Sequence, residues 1–295
     1  MFDRIFANYL AECGKLSEQN LKDIFSIQDS KRVRLGVIAV SEKLMSIEQV
    51  EEVNQLQAVL DKRFGDIAIE KGYLNSEQVS RLLVLQGNSY LAFIQSVVDG
   101  GYLSMDDLED MLVRYQEENN FTLSNMEDLK SCDINRIIPI FLYSHSEMLR
   151  ELAAVTIRTL VRLVDFHTFI KKPQILKEYQ YDVLCAQEVS GDHRFLTAFS
   201  GDVSKDLVDV AISFAGAENI SCDEDTVDAL CEFVNCVNGL FASDMSNRDI
   251  DIDMNAPIGK CEKGVLKADS ILCIPMIVCG KPIDLLLILD QDYAF

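Results

Sequence analysis

Basic residues are scarce in this sequence. It holds 27 Lys and Arg against 48 Asp and Glu, a formal net charge of −21. Phosphate contacts dominate affinity for nucleic acid, so this balance argues against duplex DNA or RNA as the main partner. A small anion held by a local arginine cluster, or a basic protein surface, stays compatible with it. No run of about 18 apolar residues occurs, so no membrane span is expected. The nine cysteines include no Cys-x-x-Cys pair. His145, His167 and His193 lie far apart without ligand spacing, and no metal site is expected. The first residues lack the basic, apolar, small-residue order of a secretory signal. A cytoplasmic protein with reduced, mostly buried thiols is therefore expected.

What is present is enough apolar content, 48% of 295 residues, for two cores. Residues 1–116 repeat themselves at a step of 29: Leu16, Met45, Leu74 and Leu103; Leu21, Val50, Val79 and Leu108; Gly14, Lys43, Gly72 and Gly101. Each unit reads as a helix, a turn at the Gly position and a second helix. The segments "LSEQNL", "NSEQV" and "SMDDL" carry N-cap chemistry at the start of that second helix. One such hairpin cannot bury its apolar face alone, so the units must stack into an all-α domain.

The second unit opens with Arg34, Leu35 and Gly36 and the third with Arg63, Phe64 and Gly65. Lys31, Arg32 and Lys62 stand just ahead of them. Arginine followed closely by glycine at a helix start suits an anion: the guanidinium gives charge and a stacking plane, and glycine lets backbone N–H groups approach. Residues 34–57 and 63–86 form two 24-residue blocks running from Arg to Gln, separated by "AVLDK". This pattern resembles the MshE-type N-terminal domain of type II secretion and pilus-assembly ATPases. The resemblance implies cyclic di-GMP as a ligand, bound through Arg34, Leu35, Gly36, Met45 and Gln57 with Arg63, Phe64, Gly65, Leu74 and Gln86. Lys43, Asn54 and Phe64 depart from the family pattern. The competing reading is that these residues close and pack helical hairpins.

Residues 117–135 are polar and weakly periodic, a linker or a peripheral helix. From residue 136 the pattern is that of an α+β domain with long helices and a largely antiparallel sheet. One long amphipathic helix is expected after Pro139. Strands follow in "YDVLCAQEV" and "HRFLTAFSGD" with a turn at Gly191-Asp192, then a helix capped by Ser204. After a further helix come an alternating strand "DIDIDM" and an apolar hairpin over 271–289 turning at Gly280-Lys281.

The further helix contains "DALCEFVNCVNG". Val227, Leu230, Phe233, Val234, Val237, Leu240 and Phe241 give it an apolar stripe. At about 100° per residue, Asp228, Glu232, Asn235 and Gly239 fall within roughly 60° of one another on the opposite side. The order of elements over 137–290 and this row, followed by Pro257, resemble the CheX branch of the CheC/CheX/FliY family. The resemblance implies a phosphatase for the aspartyl phosphate of a CheY-like receiver. Asn235 would hold the water, Glu232 would pair with a receiver lysine, and Asp228 would add a second polar contact. It implies no cofactor of the protein's own, since Mg²⁺ comes with the receiver, and a homodimer joined through strands, for which the 271–289 hairpin would supply an edge. Two other readings remain open here: a non-enzymatic adaptor or cyclic di-GMP sensor, and a purely structural interaction module. In either, the row is solvated helix surface or a docking face, and Gly239 serves packing within the protein.

Overall fold

A computed structural model describes residues 1–28, 33–60, 63–143, 145–201, 206–216 and 223–295, with the side chains of residues 27, 57–60 and 223 outside that description. Lys31, Arg32, Lys62, Ser204 and the side chain of Gln57 therefore lie outside the described residues. The chain divides after residue 133 into two compact units.

The first unit is helical: α1 (Phe2–Glu12), α2 (Glu18–Gln28), α3 (Leu35–Ser41), α4 (Ile47–Leu60), α5 (Phe64–Glu70), α6 (Ser76–Leu85), α7 (Ser89–Asp99), α8 (Met105–Glu118) and α9 (Leu123–Lys130). The helices α1, α3, α5 and α7 each end in a residue with positive φ: Gly14, Lys43, Gly72 and Gly101. The same two backbone bonds close each turn, as in Lys43 N–H to Val40 O with Leu44 N–H to Ala39 O, and Gly72 N–H to Ile69 O with Tyr73 N–H to Ala68 O. Lys43 takes this left-handed conformation although it has a side chain, at a cost of roughly 1–2 kcal/mol. The following helices are capped by side chains. Asn75 with Gln78 and Ser104 with Asp107 form complete capping boxes.

Residues 117–133, polar enough to read as a linker or a peripheral helix, belong to this unit. They carry the end of α8 and then α9, whose Thr122–Asn125 capping box fixes its start and whose Met126 and Leu129 are buried.

In the second unit, α10 (Ile134–Phe141) and α11 (Glu147–Leu163) stand where one long helix is expected after Pro139. Pro139 lies inside α10. The break follows Leu142, because the Ser146 hydroxyl accepts from the Leu149 N–H at 3.3 Å and starts a new helix there. Next come β1 (Phe169–Ile170), β2 (Gln174–Tyr181), β3 (Leu184–Gly191), β4 (Phe195–Ser200), α12 (Val208–Ala215) and α13 (Asp223–Ser246). The chain closes with β5 (Ile252–Met254), β6 (Ile258–Lys260), β7 (Gly264–Val278), β8 (Lys281–Leu289) and β9 (Tyr293–Ala294).

The sheet is antiparallel in the order β1-β7-β8-β4-β3-β5, with β2 and β9 also on β7 and β6 on β3. This arrangement corrects three expectations. The β7–β8 turn is Cys279-Gly280, with φ of 52° and 73°, and Lys281 already pairs with Val278. Two consecutive positive φ values match the twist of a two-residue hairpin, which Gly280-Lys281 would not. The alternating "DIDIDM" contributes only Ile252–Met254 as strand, since Asp249 turns the chain with positive φ. The apolar hairpin offers no edge: β2 covers β7 on one side and β4 pairs with β8 on the other. Consecutive residues Ile271–Ile274 and Leu285–Ile288 are buried on both faces of the sheet, which explains the unbroken apolar run. A strand-paired dimer through this hairpin is therefore not available.

One sheet face is closed by a cluster including Leu184, Ala186, Leu196, Ala198, Leu266, Leu286 and Ile288. The alternate residues of β3 and β4 meet α13. Phe195 packs edge-on against Phe241 at 5.5 Å, and Phe199 against Phe233 at 5.6 Å. Among the described residues no helix is long and apolar enough to cross a membrane.

Candidate functional site

The two aromatic pairs fix the roll of α13 over the sheet. Val227, Leu230, Phe233, Val234, Val237 and Phe241 are buried, while Asp228, Glu232 and Asn235 are exposed along the opposite side. Leu240, expected in the apolar stripe, is 41% exposed, because its position lies on the flank of the helix. The row in question is thus a free face, with the carboxylate of Glu232 one turn before the carboxamide of Asn235.

Asn235 is the anchored member of that row. Its Oδ1 accepts a hydrogen bond of 2.7 Å from Nε2 of Gln187 on β3. The same Nε2 donates to the backbone carbonyl of Asn255 at 2.8 Å. Oε1 of Gln187 accepts from Nδ2 of Asn238 at 2.9 Å, and Oδ1 of Asn238 accepts from the Thr197 hydroxyl at 2.9 Å. Gln187, Asn238 and Thr197 are fully buried, at 0% exposure. Gln187 and Thr197 are cross-strand partners, so the sheet register sets their spacing. The chain of bonds runs from the sheet through the buried flank of α13 to an exposed amide.

Asn255 also donates its N–H to Glu188 O at 3.1 Å, which ties the segment before β6 to β3. Pro257, two residues on, lies exposed in that segment. Met254, 42% exposed and near Gly239, gives that end of the row an apolar margin. Gly239 is not explained by internal packing: a Cβ there would sit 3.8 Å from Met254 Cε and 4.0 Å from Sδ, an ordinary contact. Beneath Asp228 and Glu232, Cys231 is buried and shares a thiol contact with Cys185. That contact, together with burial, pushes the Cys185 thiol far up from its ordinary range. No disulfide joins the cysteines among the described residues, and no group of three or more His, Cys, Asp or Glu there is placed to hold a metal.

In the helical unit, Arg34 and Arg63 occupy the N-cap positions of α3 and α5 with extended backbones. The Arg34 N–H donates to Gln95 Oε1 at 2.5 Å and its guanidinium pairs with Asp99; Arg63 is exposed. Gln86 reaches the segment ahead of α3, donating to Val33 O at 2.7 Å. Gly36 and Gly65 are buried where helices cross. A Cβ at Gly36 would lie 2.6 Å from Val50 Cγ1 and 3.3 Å from the Phe64 ring, and one at Gly65 2.8 Å from Val79 Cγ1. Close helix packing therefore accounts for both glycines without a ligand. Leu35 and Phe64 begin their helices, with Phe64 buried against Gly36.

The sequence reading missed Gln187, Asn238, Thr197 and Asn255. The available signal was an amide inside each of two apolar patterns, Gln187 in "VLCAQEV" and Asn238 within the helix stripe.

No protein-family model matches the chain. No curated protein matches it either. Among solved structures, a chemotaxis protein CheX from Desulfovibrio desulfuricans is 14% identical, covering 49% of this chain and 99% of its own, with a TM-score of 0.42. CheX from Vibrio vulnificus is 18% identical over 49% and 99%, with a TM-score of 0.42. A chain of the CheX–CheY–BeF₃–Mg²⁺ complex from Borrelia burgdorferi is 16% identical over 49% and 99%, with a TM-score of 0.35.

Proposed function

We propose that the second unit hydrolyses the aspartyl phosphate of a CheY-like receiver, with Asn235 as the catalytic residue and Glu232 as the docking carboxylate. The observation that carries this reading is the exposed Asn235 amide held from behind by fully buried Gln187, one turn from Glu232 on an otherwise open helix face. An acyl phosphate is already reactive, and its hydrolysis depends on positioning more than on a strong base. Oδ1 keeps a second lone pair that accepts a hydrogen from water, while Nδ2 donates to a phosphoryl oxygen. Water oxygen bonds to phosphorus, the P–O bond to the aspartyl carboxyl breaks, and the aspartate leaves as its carboxylate. One hydrogen of the water stays on the departing phosphate and the other passes to solvent as a proton. The receiver supplies Mg²⁺ and a lysine for Glu232, and Asp228 adds a contact one turn further back.

The test is the decay of a phosphorylated receiver with catalytic amounts of this protein, beside Asn235→Ala. Faster decay with the wild type, and none with a variant that still binds the receiver, supports the reading. Binding without acceleration by the wild type would make the protein an adaptor.

For the helical unit we propose cyclic di-GMP as a regulatory ligand of Arg34 and Arg63. Support comes from the equivalent placement of the two arginines at the starts of α3 and α5, the first helices of successive repeat units, and from the exposure of Arg63. Calorimetric titration with the dinucleotide, beside Arg63→Ala, tests it. No heat with the wild type leaves these residues with packing and capping alone.

A further inference from the structure

We infer that Gln187 is the positioning residue of this site: it sets which side of the Asn235 carboxamide faces outward. The inference rests on the phosphatase reading for its consequence, but its geometry stands by itself. An amide looks nearly symmetric in shape, and only its hydrogen-bond partners decide where oxygen and nitrogen lie. Here the partner that decides is a backbone carbonyl. Asn255 O can only accept, so the Gln187 group facing it at 2.8 Å is Nε2. The second hydrogen of that Nε2 points to Asn235, which must answer with Oδ1. Oε1 of Gln187 is then turned to Asn238, which must answer with Nδ2, and Asn238 Oδ1 faces the Thr197 hydroxyl as an acceptor.

Every link therefore has one polarity, and reversing any of them leaves a buried donor facing a donor or an acceptor facing an acceptor. Gln187, Asn238 and Thr197 are fully buried, so water does not offer an alternative partner. The outcome at the surface is an Asn235 whose Nδ2 is directed away from the sheet. No acceptor for Nδ2 occurs among the described residues. A solvated asparagine on a helix would rotate about its side-chain bonds and present either group. This one is held with its donor outward before any phosphoryl group arrives, which is the preorganisation a positioning mechanism needs.

Gln187→Met, of similar length and shape, removes both donors. The expected result is a kcat for receiver dephosphorylation lowered about tenfold or more, with KM for the phosphorylated receiver within about twofold of wild type. With kcat taken per folded molecule, counted from the native fraction by circular dichroism, a purely structural role would leave kcat unchanged or raise KM instead. An unchanged kcat, or a raised KM with kcat preserved, would overturn the inference. If the wild type itself does not accelerate decay, the phosphatase reading fails, and the geometry is judged separately. The same applies if the variant does not fold. Scalar coupling across the hydrogen bond in the labelled wild-type protein gives that judgement. Coupling from Gln187 Nε2 to the Asn235 side-chain carbonyl carbon is expected, whereas coupling from Asn235 Nδ2 to the Gln187 side-chain carbonyl carbon would overturn it.

Discussion

Replacing Gly239 by alanine separates what the free protein needs from what a docked partner needs. Glycine in a helix interior costs about 1 kcal/mol relative to alanine. The added methyl finds room, since its nearest neighbours would be Met254 Cε at 3.8 Å and Sδ at 4.0 Å. No clash offsets the gain, so Gly239→Ala is expected to stabilise the second unit by about 0.5–1 kcal/mol. For a unit of this size that raises its melting temperature by about 2–4 °C per kcal/mol, readable by scanning calorimetry on the full chain. Gly239 follows Asn235 by one turn on the row proposed to dock a receiver, so under that proposal a receiver closing on Asn235 would meet the new methyl. A loss in affinity of about tenfold, or about 1.4 kcal/mol, is expected for a beryllofluoride-activated receiver. The reasoning fails if the melting temperature falls, because the glycine would then serve a contact within the protein. It fails differently if stability rises and affinity is unchanged, since nothing would then approach this stretch of α13.

Two further outcomes are expected. Gly36→Ala should destabilise the helical unit by about 1–3 kcal/mol in a urea melt, because its Cβ would meet Val50 at 2.6 Å between packed helices; an unchanged midpoint would refute that packing. In native protein, thiol-specific reagent should label exposed Cys261 quickly, while Cys185, buried and held far up by its contact with Cys231, and Cys273, pushed up to about 12 by burial, should react only on unfolding. Peptide mapping after brief labelling checks this, and early modification of Cys185 would contradict the burial of the layer under α13.

The sequence by itself determined much that depends on local chemistry. Helix starts are legible where Asn75 or Ser104 can cap, and turns where Gly14, Gly72 and Gly101 relieve a left-handed backbone. The free face of α13 is legible because a 3.6-residue period places Asp228, Glu232 and Asn235 opposite the residues that phenylalanines bury. Tertiary structure decided what depends on partners distant in sequence. In strand β2 the register shifts between Leu176 and Glu178, which interrupts any two-residue period, and the strand exists because β7 pairs with it. The hairpin over 271–289 reads as a possible edge, but neighbours on both sides make it interior. The polarity of the Asn235 amide is set by Gln187, 48 residues earlier, and by the carbonyl of Asn255, 20 residues later. No local pattern encodes which hydrogen-bonding groups will face each other once a sheet and a helix have packed. The residues that could act were visible in the sequence, while the orientation in which they are held is a property of the fold.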